Sequence, residues 1–329
     1  MQQVDLSIIC PMYNESDIAK DSIAKIIQSA KKSEINIEII VIDDCSTDDS
    51  VNTLKSIQQG IVLLSTEKNS GSGGPPRNIG IEHAKGKYIT FYDMGDNIRL
   101  DHLHKYFKFM DEFEVKITIF KHQDIRPDNS IIDTPIKIFN NDVYATNFQE
   151  NHHLISNPFS WSKIYNKKWV QDSSIRFGNQ YLGEDKLFTW GSYLKADTIV
   201  ISPEIMYQHK FYHGLKNRMS NVNLKSAKSL ISIDKEIRDL FKIHQLENLY
   251  NNRLINRDIL QIILGKEGTL RLIENRELFE TFDLLSEWIR TLSQRKINFQ
   301  DIVNPNLKKS YDYLVTANTA RYVHHILSS

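Results

Sequence analysis

Apolar positions in the first hundred residues come as short solid runs divided by stretches of wider spacing. Leu6-Ser7-Ile8-Ile9-Cys10, ended by Pro11, then Ile37-Glu38-Ile39-Ile40-Val41-Ile42, Ile61-Val62-Leu63-Leu64 and Tyr88-Ile89-Thr90-Phe91-Tyr92 have the length and composition of buried strands. Between them, Ile18 to Ala30, Val51 to Gln58 and Arg77 to Ala84 carry apolar residues at helical spacing. Strand, loop and helix in that alternation predict a parallel, doubly wound α/β sheet. The linkers sharpen the picture: Asp43 and Asp44, then Asn69, then Asp93 and Asp96 follow the strands at their C-terminal ends. Open α/β sheets bind ligands along that edge.

The pattern changes from Leu224 onward. Turn residues thin out, and Leu230, Ile233, Ile237, Leu240 and Phe241, later Leu284, Leu285, Trp288 and Ile289, fall at amphipathic helical spacing. Two domains are therefore expected, an α/β domain over 1–223 and a helical domain over 224–329. No internal repeat or low-complexity segment interrupts either.

Composition removes several classes of function. The 329 residues hold 41 Lys+Arg and 41 Asp+Glu, so no global field favours nucleic acid or an anionic membrane, and any anion site must be built locally. Cys10 and Cys45 end apolar runs, which fits buried thiols of a reducing compartment rather than a disulfide framework. No run approaches the roughly 20 apolar residues of a membrane span and no leader pattern opens the chain. A cytoplasmic protein with at most peripheral contact at the inner face of the membrane is expected.

Ser7 to Glu15, with Val41-Ile42-Asp43-Asp44-Cys45-Ser46-Thr47-Asp48 behind it, resembles the opening of the family 2 glycosyltransferases, whose fold is the Rossmann-like glycosyltransferase-A type, GT-A. The resemblance implies that Pro11 and Tyr13 pack on a nucleobase and that Asp44 bonds the base or ribose. A ring stacks on a flat base, and a carboxylate accepts from uracil N–H or sugar hydroxyls. Asn69 to Gly80 resembles the stretch that ends in Pro-Arg-Asn, here Pro76-Arg77-Asn78, before a helix. It implies that Asn69 and Arg77 lie against the donor, Arg77 offering a forked cation to a diphosphate. Trp161-Ser162-Lys163-Ile164-Tyr165 and Gly183-Glu184-Asp185-Lys186-Leu187-Phe188 resemble acceptor-side elements. The second makes Asp185 the catalytic base and puts Glu184 against the donor. Taken without the resemblance, Glu184 and Asp185 would simply open a helix, where acidic residues suit the dipole.

Phe91-Tyr92-Asp93-Met94-Gly95-Asp96-Asn97 stands where the family carries its Asp-x-Asp motif, with Asp93 and Met94 expected at the donor. The sequence departs here. Gly95 replaces the second, metal-binding Asp, and Asp96 comes one position late, so the divalent cation that the resemblance implies, Mn²⁺ or Mg²⁺ on Asp93 and Asp96, is placed in doubt. Lys210, Lys216 and Arg218 are expected to meet the phosphates instead. His209 and His213 are four apart, but Ile199 to Tyr212 reads as strand, which separates them by about 13 Å and argues against a metal pair.

Within the family the resemblance runs from Ser7 to Ser220 and is strongest to the wall teichoic acid transferases that add N-acetylglucosamine to poly(ribitol phosphate). It implies a UDP-sugar donor, a polysaccharide or polyol-phosphate acceptor, and a homo-oligomer, trimer or dimer, formed through the helical region. A nucleotidyltransferase is a rival, but would carry a Gly-rich phosphate loop where this chain has Pro11-Met12-Tyr13-Asn14. A non-catalytic nucleotide-sugar-binding protein is the other, favoured by Gly95.

Overall fold

The computed structural model describes residues 3–57, 60–133, 136–210, 222–294 and 303–328. The chain divides into two compact units, 1–179 with 184–214, and 180–183 with 215–329. The first unit is built on a ten-stranded sheet. Its strands are β1 (Leu6–Met12), β2 (Ile37–Asp43), β3 (Ile61–Ser65), β4 (Tyr88–Phe91), β5 (Asn97–Ile98), β6 (Ile117–Ile125), β7 (Ile131–Asp133), β8 (Tyr144–Thr146), β9 (Lys163–Asn166) and β10 (Ile199–Lys210). Its helices are α1 (Ser16–Ala30), α2 (Ser50–Lys55), α3 (Gly74–His83), α4 (Leu103–Glu112), α5 (Lys167–Asp172) and α6 (Glu184–Lys195).

Strand order is β3-β2-β1-β4-β9-β6-β10-β5, with β7 on β6 and β8 on β10. The expected parallel sheet is found from β3 to β4, where Met12 lies opposite Asp43 and Ile9 opposite Phe91, so the loops after β1, β2 and β4 open on one edge. Beyond β4 the sheet is mixed, because β9 runs antiparallel to both β4 and β6, while β6 and β10 are parallel. The regular alternation of strand and crossover helix ends after β4, and with it the parallel rule. Ile8, Ile9, Ile39, Ile40 and Val41 are at most 1% exposed, each burial stabilising by about 1.5–3 kcal/mol. Cys10 is buried and Cys45, half-buried, donates from Sγ to the Thr66 carbonyl at 3.3 Å, so both thiols are free.

The second unit contains α7 (Leu224–Ile243), α8 (Glu247–Arg253), a π-helical segment Leu254–Ile263, α9 (Lys266–Glu274), α10 (Leu278–Gln294), α11 (Lys308–Val315) and α12 (Thr319–Ser328). The change of pattern at Leu224 marks a real helix start. Asn223 caps α7 by accepting from Ser226 N at 2.9 Å, and the Ser226 hydroxyl accepts in return from Asn223 N. Leu230, Ile233, Ile237 and Phe241 from α7, and Phe282, Leu285 and Ile289 from α10, are buried as their spacing predicts, while Leu284 and Trp288 are half-buried. Among the described residues no helix is long and apolar enough to cross a membrane.

Candidate active site

Arg77 is the centre of the ligand edge. The loop before it ends in Gly73, and Pro75 and Pro76 open α3, whose first turn then carries the arginine inward. Its side chain is 6% exposed, with Nη2 2.7 Å from Asp93 Oδ1 and Nη1 3.4 Å from both Glu184 Oε1 and Asp185 Oδ1. The guanidinium also lies over the Phe177 ring at 5.4 Å. Burial works to lower its pKa, but the three carboxylates outweigh that and hold it above its ordinary value. A Cβ at Gly73 would stand 2.4 Å from Arg77 Nη1, so any side chain there would displace the guanidinium. Arg77 Nε is buried without a hydrogen-bond partner, as is Ser72 Oγ in the preceding loop.

The two acids at the start of α6 differ. Glu184 is pushed up to about 8, by burial first and then by Asp185, with Arg77 opposing. Asp185 is also raised, again chiefly by burial, with Arg77 pulling it down and Asp93 pushing it up. Ser160 donates to Asp185 at 3.1 Å, and this bond and the Arg77 contact both fall on Oδ1. Oδ2 therefore lies apart from both. Ser160 carries no signal in the sequence, because its partner is 25 residues away and only the placement of β9 beside α6 joins them.

Asp93 and Asp96, the two carboxylates named for a cation, take different partners. Gly95 between them adopts φ +96°, in the left-handed region that favours glycine. Asp96 is 1% exposed, and its carboxylate accepts from Tyr207 Oη at 2.8 Å, His209 Nδ1 at 3.2 Å and Lys210 N at 2.8 Å. Burial works to lower the His209 pKa, but Asp96 holds it above its ordinary value. Met94, beside Gly95, is 5% exposed and packs in the core with Met12 and Tyr92. Lys216, Arg218 and His213 lie outside the described residues. Lys210 is described, and its ammonium is held below the ordinary range by burial and by Lys25.

A hard cation takes about six oxygens, several of which can come from water or substrate phosphate. Asp96 is spent on three donors, Asp93 Oδ1 faces Arg77, and among the described residues no group of three His, Cys, Asp or Glu side chains could hold a metal ion. A cation here would need donor phosphate and water oxygens to complete its shell.

The remaining expected residues gather at the β1 and β2 end. Asn14, at φ 54°, accepts on Oδ1 from Thr47 N at 2.8 Å and donates from its own N to Ser46 Oγ at 2.9 Å, which latches the first two loops together. Pro11 is half-buried and Tyr13 is 46% exposed, an uncovered ring at the rim. Asp44 is 4% exposed, and its carboxylate accepts from Thr66 Oγ1, Ser70 N, Ser70 Oγ and Gly71 N at 2.9–3.3 Å, while Asn69 Nδ2 donates to the Asp44 carbonyl. Asp44 thus shapes the loop that leads to Arg77.

The profile of Glycosyl transferase family 2 matches residues 7–173. The chain belongs to this family. A poly(ribitol-phosphate) beta-glucosyltransferase of Bacillus spizizenii is 26% identical over 92% of this chain and 47% of its own. The poly(ribitol-phosphate) beta-N-acetylglucosaminyltransferase TarS of Staphylococcus aureus is 27% identical over 62% of this chain and 35% of its own. The chain thus spans half or less of the length of these relatives. The crystal structure of S. aureus TarS 1–349 in complex with UDP-GlcNAc superposes with a TM-score of 0.73 at 23% identity, covering 97% of this chain and 89% of that one, and has the same mixed α/β fold with C-terminal helices.

Proposed function

We propose that this chain is an inverting glycosyltransferase that moves a sugar, N-acetylglucosamine or a related hexose, from a UDP-sugar to a hydroxyl of a cell-surface polymer of the polyol-phosphate kind. Asp185 carries the reading. Its burial raises its basicity, Arg77 and Ser160 fix it through Oδ1, and Oδ2 is left to take the acceptor proton as the acceptor oxygen attacks the sugar C1 opposite the departing UDP. Tyr13 and Pro11 then offer a surface to the base, while Arg77 Nε and Ser72 Oγ are unspent donors for the diphosphate. The identities of the poly(ribitol-phosphate) relatives support the acceptor class. UDP release from a panel of UDP-sugars, with and without ribitol-phosphate oligomers, tests it; release that no acceptor stimulates would refute it.

The charge on the leaving diphosphate falls, in this reading, to Arg77, to His209 beside Asp96, and to Lys210, Lys216 and Arg218. Activity should therefore survive EDTA to at least about half of its starting level. Complete loss restored by Mn²⁺ or Mg²⁺ would show that a cation arrives with the donor and completes its shell on Asp93.

The helical unit exposes Ile243 at 78% and Phe279 at 67%, and we assign these apolar residues to a homo-oligomeric contact. Light scattering should give a mass that is a multiple of 38.3 kDa, falling to the single-chain value in Phe279→Asp. A wild-type mass of one chain would overturn the assignment.

A further inference from the structure

Phe159 is 37% exposed although Pro158 and Ser160 on either side of it are buried. Its ring lies face to face on Trp161, centroids 4.6 Å apart and planes 12° from parallel. Trp161 continues the stack onto Tyr207 at 4.7 Å and 13°, and onto His209 at 5.6 Å and 14°. The exposed ring is thus the outer member of a ladder rooted in β10. The loop that carries it is fixed from within by the fully buried Lys163, whose Nζ donates to Asn157 Oδ1 at 3.0 Å, to the Phe159 carbonyl at 2.5 Å and to the Trp161 carbonyl at 3.3 Å. All three acceptors are uncharged oxygens of one short loop. A buried amine needs such partners, and committing it to these carbonyls holds the backbone on both sides of Phe159 in one conformation.

The next residue, Ser160, donates to Asp185. A rigid, outward apolar ring therefore sits one residue from the group that positions the candidate base. We propose that Phe159 is the platform of the acceptor subsite, taking the C–H face of a polyhydroxylated carbon skeleton so that one of its hydroxyls is presented to Asp185. This rests on the reading of Asp185 as the base. The ring also selects. Its face carries the negative part of the aromatic quadrupole, so a phosphate is repelled there while carbon-bound hydrogens are attracted. On a polyol-phosphate chain the platform admits the carbon segment and excludes the linking phosphate, which sets the register of the polymer. On a ring sugar it takes the apolar face of the pyranose. An immobile ring with two side-chain torsions does this with little entropy to lose.

The test uses the full chain with Phe159→Ala and Phe159→Trp. The probes are a ribitol-phosphate oligomer for the open-chain source and methyl β-N-acetylglucosaminide for the ring source. Acceptor dissociation constants are measured by calorimetry in the presence of UDP, and acceptor KM by UDP release. Phe159→Ala should raise both constants about three- to tenfold for the acceptor class that is used, leaving kcat at saturating acceptor within about twofold. UDP-sugar affinity should not move, the melting temperature should fall by only a few degrees as the stack on Trp161 is lost, and Phe159→Trp should restore acceptor binding. The probe whose constant moves identifies the source. Acceptor constants unchanged for both probes, a fall in kcat at fixed KM, or wild-type protein that binds neither probe would each overturn the proposal. Wild-type protein that binds a probe but never releases UDP would sink the transferase reading instead, while the dissociation constants still report on the platform.

Discussion

Asp185→Asn should reduce sugar transfer by about 10²–10⁴-fold, the usual cost of removing a general base, with donor affinity nearly unchanged. The substitution keeps the shape at α6 and keeps Oδ1 as an acceptor for Ser160 and Arg77, so the loop and the guanidinium stay in place. What it removes is the ability of the second oxygen to take a proton. Single-turnover transfer and calorimetric titration with the donor separate the two quantities. Near-normal turnover would move the base elsewhere, and a matching fall in donor affinity would make Asp185 a binding group.

The largest effect on stability is expected from Arg77→Met. It leaves Asp93, Glu184 and Asp185 facing one another without the cation that now touches all three, a loss of about 3–5 kcal/mol for a broken buried ion cluster. The loss should depend on pH, and its sign follows from Glu184. Its folded pKa lies above the ordinary carboxylate value, so the native state binds more protons than the unfolded one between the two values, and stability falls as pH rises through that window. Arg77 opposes that rise, and removing it lifts the folded pKa further. The deficit of Arg77→Met should therefore be smallest near pH 5 and largest above pH 8. Urea midpoints for both proteins at the two ends of that range check it, and a deficit independent of pH would show that lost packing on Phe177 dominates.

The strands from β1 to β4, their loops and the helical start at Leu224 were legible because each is written in local periodicity and capping chemistry. Arg77, Asp93, Glu184 and Asp185 could be named from motifs, and the fold brings those four together. What local pattern could not show is where side chains go once the backbone turns. Met94 and Asp96 sit in a motif segment but are buried, and the partners of the Asp96 carboxylate, Tyr207 and His209, come from a strand more than a hundred residues later. Asp44 reads as a free acid after a strand, yet it is surrounded by the amides and hydroxyls of a loop that the sequence shows only as Gly and Ser. The role of Lys163 was equally hidden, since a lysine in a strand gives no sign that it will be enclosed by three oxygens.

The latch at Asn14 has one more consequence. Because its side chain accepts from Thr47 N and its own amide donates to Ser46 Oγ, neither of the first two loops can detach without releasing the other. Glu15 N on Ser50 Oγ and Ser16 N on Asp48 Oδ2 extend the same stitching to the starts of α1 and α2. In amide hydrogen exchange the backbone of 14–16 and 46–50 should open as one cooperative segment with a common opening free energy, so that the rim carrying Tyr13 breathes as a single hinged flap.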